Sequence, residues 1–193
     1  MINLGVLGST KGTDLQAIIN AINCGSLKAQ VSVVISDRSK SYILERARLN
    51  QIPSFFVSKK NKTRSQFDSE VTNLLLKKEV ELVLLIGFMR ILSAKFCQRW
   101  HKKIINVHPS LLPKYSGGMD TNVHSEVLRN NDSETGCTIH FVTEELDSGP
   151  ILVQKRCSVN NQDTIFSLKE KVQKLEGEAF IEAIKTLSNK GVS

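Results

Sequence analysis

Leu82-Val83-Leu84-Leu85-Ile86 is a run of five apolar residues with Gly87 directly behind it. Neighbouring residues of a strand point to opposite faces, so a strand without a polar position has both faces covered. That is the condition of an inner strand in a parallel sheet layered between helices. The rest of the chain agrees with it. Strand-like segments at 2–8, Val31–Ile35, Ile52–Val57, Ile104–Val107, Thr138–Val142 and Ile151–Val159 alternate with helix-like ones. The latter run from Asp14 to Gly25, over Tyr42–Leu49, from Thr63 to Lys78, from a Ser93 cap through Trp100, over Asn122–Arg129, and from Thr164 to about Lys190. Phe67, Val71, Leu74 and Leu75 show the helical spacing in one of them, and Leu168, Val172 and Leu175 in another. Asp14 and Thr13 suit the N-cap of the first helix, and Gly25 its end. The alternation predicts an α/β fold, a doubly wound, mostly parallel sheet flanked by helices, in one domain over 1–193. Ligands of such sheets bind beyond the carboxyl ends of the strands. Four loops fall there: 8–14, 87–92, 106–120 and 143–149.

Composition narrows the class. The chain is 40% hydrophobic and 23% charged, as in ordinary globular proteins. No apolar run reaches membrane-span length and no signal peptide opens the chain, so a cytoplasmic protein without membrane contact is expected. Cys24, Cys97, Cys137 and Cys157 are far apart with no C-x-x-C pair, which predicts free thiols and no metal site. The net charge is +7, but the lysines are scattered and Lys59-Lys60-Asn61-Lys62 is the densest cluster. That pattern suits a solvated surface or small anionic substrates better than nucleic acid.

The third loop carries the chemistry. Asn106 and His108, two apart at the end of a strand, point the same way. One donates a hydrogen bond without titrating; the other carries a proton near neutral pH. Pro109 and Pro113 stiffen the exit. A strand end whose Asn and His bond their own backbone is the alternative reading. In the first loop, Gly8-Ser-Thr-Lys-Gly12-Thr13-Asp14 places backbone N–H groups at a helix start, where phosphate binds. It is neither a dinucleotide fingerprint nor a Walker A loop, and an ordinary β–α turn remains open. Asp37 only weakly imitates a ribose-binding acid. Gly87 allows close backbone approach, and Met89, Ile91 and Leu92 either line a slot for a flat heterocycle or cover the core. Among Glu144, Glu145 and Asp147, the last matters if it faces His108, because a carboxylate orients a histidine for acid–base work.

Taken together, these segments resemble the folate-dependent formyltransferases, specifically their phosphoribosylglycinamide formyltransferase branch. The resemblance runs from Asp14-Leu-Gln-Ala-Ile-Ile19, through Leu44-Glu-Arg-Ala-Arg48, Gly87-Phe-Met-Arg-Ile-Leu-Ser93 and Asn106-Val-His-Pro-Ser-Leu-Leu-Pro-Lys114. It continues through His140-Phe-Val-Thr-Glu-Glu-Leu-Asp147 and Gly149-Pro150 to Val172-Gln173 and Glu176. The short length and the opening loop point to this branch, since related tRNA- and sugar-specific transferases and formyl-folate hydrolases normally carry a further domain.

The resemblance implies a Rossmann-like formyltransferase fold and transfer of a formyl group from 10-formyltetrahydrofolate, a co-substrate, to the amine of glycinamide ribonucleotide. It implies Asn106, His108 and Asp147 as the catalytic set. It assigns Gly12, Thr13, Asp14, Gln173 and Glu176 to the ribonucleotide. It assigns Arg64, Met89, Arg90, Ile91, Leu92, Asn106, Val142 and Thr143 to formyl-folate. Residues 1–100 are then the phosphate-binding half and 101–193 the catalytic and folate-binding half of a monomer or homodimer. His101, His124 and His140 are expected to be surface or strand residues. Two departures stand out. The opening loop reads Thr10-Lys11-Gly12-Thr13-Asp14 where better-known members have Gly-Asn-Gly-Ser-Asn, so Asp14 repels a phosphate unless it caps the helix or Lys11 offsets it. The loop after Lys114 is longer than usual and lacks a common His-Thr-His cluster. Competing readings are a transferase for another amine, a hydrolase, and a non-catalytic nucleotide- or folate-binding module.

Overall fold

The computed structural model describes residues 1–118 and 121–190. Seven strands form one sheet: β1 (Ile2–Gly8), β2 (Ala29–Ser36), β3 (Ser54–Phe56), β4 (Leu82–Ile86), β5 (Ile104–His108), β6 (Glu134–Phe141) and β7 (Ile151–Ser158). Six helices connect or follow them: α1 (Thr13–Asn23), α2 (Tyr42–Leu49), α3 (Arg64–Lys77), α4 (Ala94–Arg99), α5 (Thr121–Arg129) and α6 (Ile165–Lys190). The strand order is β3-β2-β1-β4-β5-β6-β7. Strands β1 to β5 pair in parallel, whereas β5–β6 and β6–β7 are antiparallel. The sheet is therefore the doubly wound, mostly parallel one that the strand–helix alternation predicts.

Strand β4 behaves as its apolar run requires. Leu82, Leu84 and Ile86 pack in the hydrophobic cluster shared with α1 and α6. Val83 and Leu85 pack in the cluster on the opposite face, with Phe67 and Val71 of α3 and Phe96 of α4. All five are buried. Fully burying each such side chain stabilises by about 1.5–3 kcal/mol, so a polar residue anywhere in the run would be costly.

Local signals explain most boundaries. Thr63 and Gln66 form a reciprocal capping box at the start of α3. Ser93 accepts from Phe96 N at the start of α4. Gly25 follows α1 at φ 75°, the left-handed conformation that ends a helix. The start of α1 departs from expectation. Its N-cap is Gly12 at φ 68° and no side chain caps it, so Asp14 lies inside the first turn with its carboxyl free of the cap. Several strands also differ in extent, and β2 starts at Ala29, two residues ahead of the expected Val31. β3 is shorter than the expected 52–57, as an edge strand paired only to β2. β6 begins at Glu134, four residues ahead of the expected start, because residues 134–137 pair with β7 as well.

In the order β3-β2-β1-β4-β5 the winding reverses between β1 and β4, which opens a crevice at their carboxyl ends. Ser9 N donates to Gly87 O (3.1 Å) across that gap. Ser9 Oγ donates to Asp37 Oδ1 (2.7 Å) and accepts from Met89 N (3.1 Å). Asp37, 6% exposed, is thus a tie between three strand ends. Gly87 has φ 56°, and a Cβ there would collide with the Thr10 side chain. Only glycine lets the two loops come this close.

Candidate active site

Strand register assembles the first part of the site. Asn106 of β5 lies opposite His140 of β6, and His108 lies opposite Thr138. Positions two apart share a face, so all four side chains stand on the same side of the sheet. Asn106 Nδ2 donates to His140 Nε2 (3.2 Å). His140 Nδ1 donates to Phe141 O (2.9 Å), which fixes the tautomer that leaves Nε2 as an acceptor. His140 is 2% exposed, and burial, the largest influence, lowers its pKa below the usual histidine value. The ring is therefore neutral at neutral pH and holds the Asn106 amide by one N–H, leaving its second N–H for a ligand.

Asp147 joins from the loop after β6. Its Oδ2 lies 3.2 Å from His108 Nδ1 and its Oδ1 3.6 Å from His140 Nε2. The residue has φ 52°, a left-handed conformation that Asp tolerates better than most side chains. The segment following β5 folds back over the pair. Tyr115 O accepts from His108 Nε2 (2.9 Å), and Gly117 N donates to Asp147 Oδ2 (2.8 Å). Both nitrogens of His108 thus face oxygen acceptors, and a ring protonated on both satisfies both.

This covering segment is anchored below. Thr138 Oγ1 donates to Ser110 O (2.7 Å) and accepts from Leu112 N (3.0 Å). Gln154 Nε2 of β7 donates to Leu112 O (2.9 Å) and to Thr138 Oγ1 (3.0 Å). Tyr115 Oη donates to Asp132 Oδ2 (2.8 Å), and Lys114 pairs with the same carboxylate. The Leu112–Pro113 peptide is cis. Met119 and Asp120, in the stretch expected to be an unusual extension, lie outside the described residues.

A cleft of about 770 Å³ opens over these groups at the crevice between β1 and β4. Asn106, His108 and Asp147 line it. So do Gly12, Thr13 and Asp14 from the β1–α1 loop, and Gln173 and Glu176 from α6. Met89, Arg90 and Ile91 line the side formed by the loop after β4. Met89, Ile91 and Leu146 are exposed at 38%, 58% and 62%, so large apolar side chains stand open along the cleft. The Arg90 guanidinium stacks over the Phe67 ring, 4.3 Å from its centre.

Four expected site residues lie off the cleft. Arg64 is exposed at the first position of α3. Leu92 is buried in the core cluster beneath the loop, and Val142 packs against it. Thr143 bonds its own turn through Glu145 O (3.1 Å). Conversely, two histidines expected to be ordinary surface or strand residues belong to the site. His140 is on a strand, but its ring touches Asn106; His124 of α5, 1% exposed, lines the cleft. The signal for His140 is the polar Thr138 and His140 on either side of apolar Ile139, which marks a strand with one polar face. What the sequence lacks is the register that puts this face against Asn106. Among the described residues, no group of three or more His, Cys, Asp and Glu side chains is arranged to hold a metal ion.

Comparison with known proteins adds an independent line. The model of the formyl transferase family matches residues 2–184. The phosphoribosylglycinamide formyltransferase of Haemophilus influenzae is 37% identical over 186 residues, covering 96% of this chain and 86% of that protein. The trifunctional purine biosynthetic protein adenosine-3 of Chironomus tentans is 39% identical over 189 residues. There the match covers 96% of this chain but only 14% of the relative, so the chain spans about a seventh of that protein's length. The crystal structure of glycinamide ribonucleotide transformylase 1 from Symbiobacterium toebii superposes with a TM-score of 0.93 at 35% identity. That match covers 98% of this chain and 89% of that one.

Proposed function

This chain belongs to the formyl transferase family, and on that premise we propose that it passes a formyl group from 10-formyltetrahydrofolate to the primary amine of glycinamide ribonucleotide. The observation that carries the reading is the buried His108–Asp147 pair beside Asn106, in a cleft at the switch point of the sheet. The sequence likeness to phosphoribosylglycinamide formyltransferase over nearly the whole chain supports the choice of amine.

Formyl transfer to an amine passes through a tetrahedral oxyanion. Asn106, held by His140, supplies a preorganised N–H donor for that oxygen, the kind of donor whose removal typically costs acyl transfer ~100- to 1,000-fold. His108 stands beside the same oxygen with an N–H to give, and Asp147 fixes the ring. The attacking amine gives up one proton as the folate nitrogen gains one, so His108 hands its Nε2 proton to the departing folate nitrogen and regains one from the amine; the delivery requires exchange of its bond to Tyr115 O for one to the substrate. The covering segment therefore shifts as the reaction proceeds.

The polar wall of Gly12, Thr13, Asp14, Gln173 and Glu176 suits the ribonucleotide. The apolar Met89 and Ile91, with Arg90 between them, suit a pterin ring. For Arg64, Leu92, Val142 and Thr143 the folate assignment rests on the family resemblance alone. Residues proposed for each ligand come from both sides of position 100, so the two halves contribute jointly. Small-molecule substrates fit a family of this kind; a cytoplasmic location and a monomer or homodimer remain proposals. No helix among the described residues is long and apolar enough to cross a membrane.

The test is direct. Purified protein is given formyl-folate with and without glycinamide ribonucleotide, and formylated product is measured. His108→Ala and Asp147→Asn are each expected to lower kcat by ~100- to 10,000-fold while still folding cooperatively. Near-normal turnover by both variants would remove the mechanism. Folate release without the amine would identify a hydrolase instead.

A further inference from the structure

One wall of the cleft contains a buried acid that the reaction above does not use. Asp14 sits in the first turn of α1, is 5% exposed and lines the cleft. Its Oδ1 has no hydrogen-bond partner, and its side chain makes no cap for the helix. A buried charge without compensation is far costlier than a buried neutral acid. The groups around it do not supply that compensation evenly. Glu176 of α6, itself 9% exposed, brings a second acid to the same wall; burial chiefly, with the two carboxyls adding to it, pushes up the Cys137 thiol of β6. Lys11 of the loop and Lys169 of α6 are the cations of this wall. His108 of β5, His124 of α5, Arg90 after β4 and Asp147 complete the titratable and charged lining. Arg46 of α2 is committed elsewhere, to Lys11 O (2.7 Å) and Gln16 Oε1 (3.0 Å).

We propose that Asp14 binds the ribonucleotide in its protonated form and donates that hydrogen to a phosphate oxygen of the substrate. The proposal rests on the substrate reading above and adds a protonation state to it. An ionised Asp14 would oppose the phosphate at the very helix end whose N–H groups attract it. A neutral carboxyl instead offers an O–H to a charged oxygen, a strong type of hydrogen bond. Burial pushes the Asp14 pKa up to about 7, so the proton is available near neutrality.

The consequence is a binding step linked to proton uptake. The substrate's own phosphate and amine also titrate between about pH 6 and 8, so the measurement is a comparison of wild type with Asp14→Asn, in which those contributions cancel. Asn keeps an N–H donor that does not titrate. Between pH 6.5 and 8.5, KM for glycinamide ribonucleotide is expected to rise roughly 10- to 30-fold more in wild type than in Asp14→Asn, while KM for formyl-folate moves alike in both. Calorimetric titration of glycinamide ribonucleotide at pH 7.5, in buffers of different ionisation heat, is expected to show wild type taking up more protons than Asp14→Asn. Asp14→Ala, with no donor, is expected to bind more weakly than Asp14→Asn at every pH, by roughly 10-fold or more. Equal proton counts and parallel KM profiles for wild type and Asp14→Asn would overturn the proposal. Absence of ribonucleotide binding by any of the three proteins would instead remove the substrate reading on which it rests.

Discussion

Asn106 owes its orientation to a neighbour whose protonation can reverse the contact. His140 accepts from Asn106 Nδ2 only while Nε2 is bare. Its pKa is lowered chiefly by burial, against the opposing influences of the Phe141 carbonyl and Asp147. The folded state therefore binds fewer protons at this ring than the unfolded chain does. Its contribution to stability is present above the ordinary histidine pKa and is lost as pH falls through the depressed one. In His140→Asn the ring is replaced by a group that still accepts from Asn106 and does not titrate. Its melting temperature is expected to fall less than that of wild type between pH 7.5 and pH 5. A parallel decline in the two proteins would show that this ring takes up its proton alike in the folded and unfolded states.

The next scale is the segment after β5, which one hydroxyl of the sheet holds at two points. Thr138 Oγ1, fully buried, serves Ser110 O, Leu112 N and Gln154 Nε2 together. Thr138→Val keeps the shape and removes all three bonds. Leaving a buried backbone group unsatisfied costs about 1–3 kcal/mol, so urea unfolding should show a loss of at least that size. Turnover should fall too, because Tyr115 O and Gly117 N are carried by the same segment. A loss of stability with unchanged turnover would mean the segment does not need this fastening in order to position His108. The elements themselves were largely readable in advance, and for specific reasons. β4 showed itself by an unbroken apolar run, α3 by Thr63 and Gln66, and α1 by the left-handed glycine behind it. The chemistry was readable where side-chain type and strand period suffice, as for Asn106 and His108. It was not readable where it depends on pairing across distance. His140 reaches Asn106 only through the β5–β6 register, and a strand's pairing register is not written in its own alternation. Asp14 has the residue type of a cap but is not one, because Gly12, in a left-handed conformation, sets the cap one residue ahead of Thr13.

Taken whole, the molecule divides its cleft between the sheet and its last helix. The loops at the strand ends supply Gly12, Thr13, Asn106 and His108, whereas Gln173 and Glu176 come from α6. That helix is held on the sheet by Leu168, Val172, Phe180 and Ile184, and by the fit of Gly177 against Ala17, where a Cβ would come within 2.7 Å of the alanine methyl. A ligand spanning both walls can bind only while α6 is docked. Ligand occupancy and helix release therefore exclude one another, and at a concentration 100 times Kd the ligand adds about 2.7 kcal/mol to the cost of release. Hydrogen exchange reads this out. With glycinamide ribonucleotide bound, α6 amides that exchange through local release should slow by roughly 100-fold. Amides of α3, packed in the cluster on the other face with Phe67, Val71 and Leu75, should slow much less. Equal slowing in both helices would mean that α6 leaves only when the whole chain unfolds. The substrate would in the first case act as a clasp, making the carboxyl-terminal helix the part of the protein whose lifetime is set by metabolite supply.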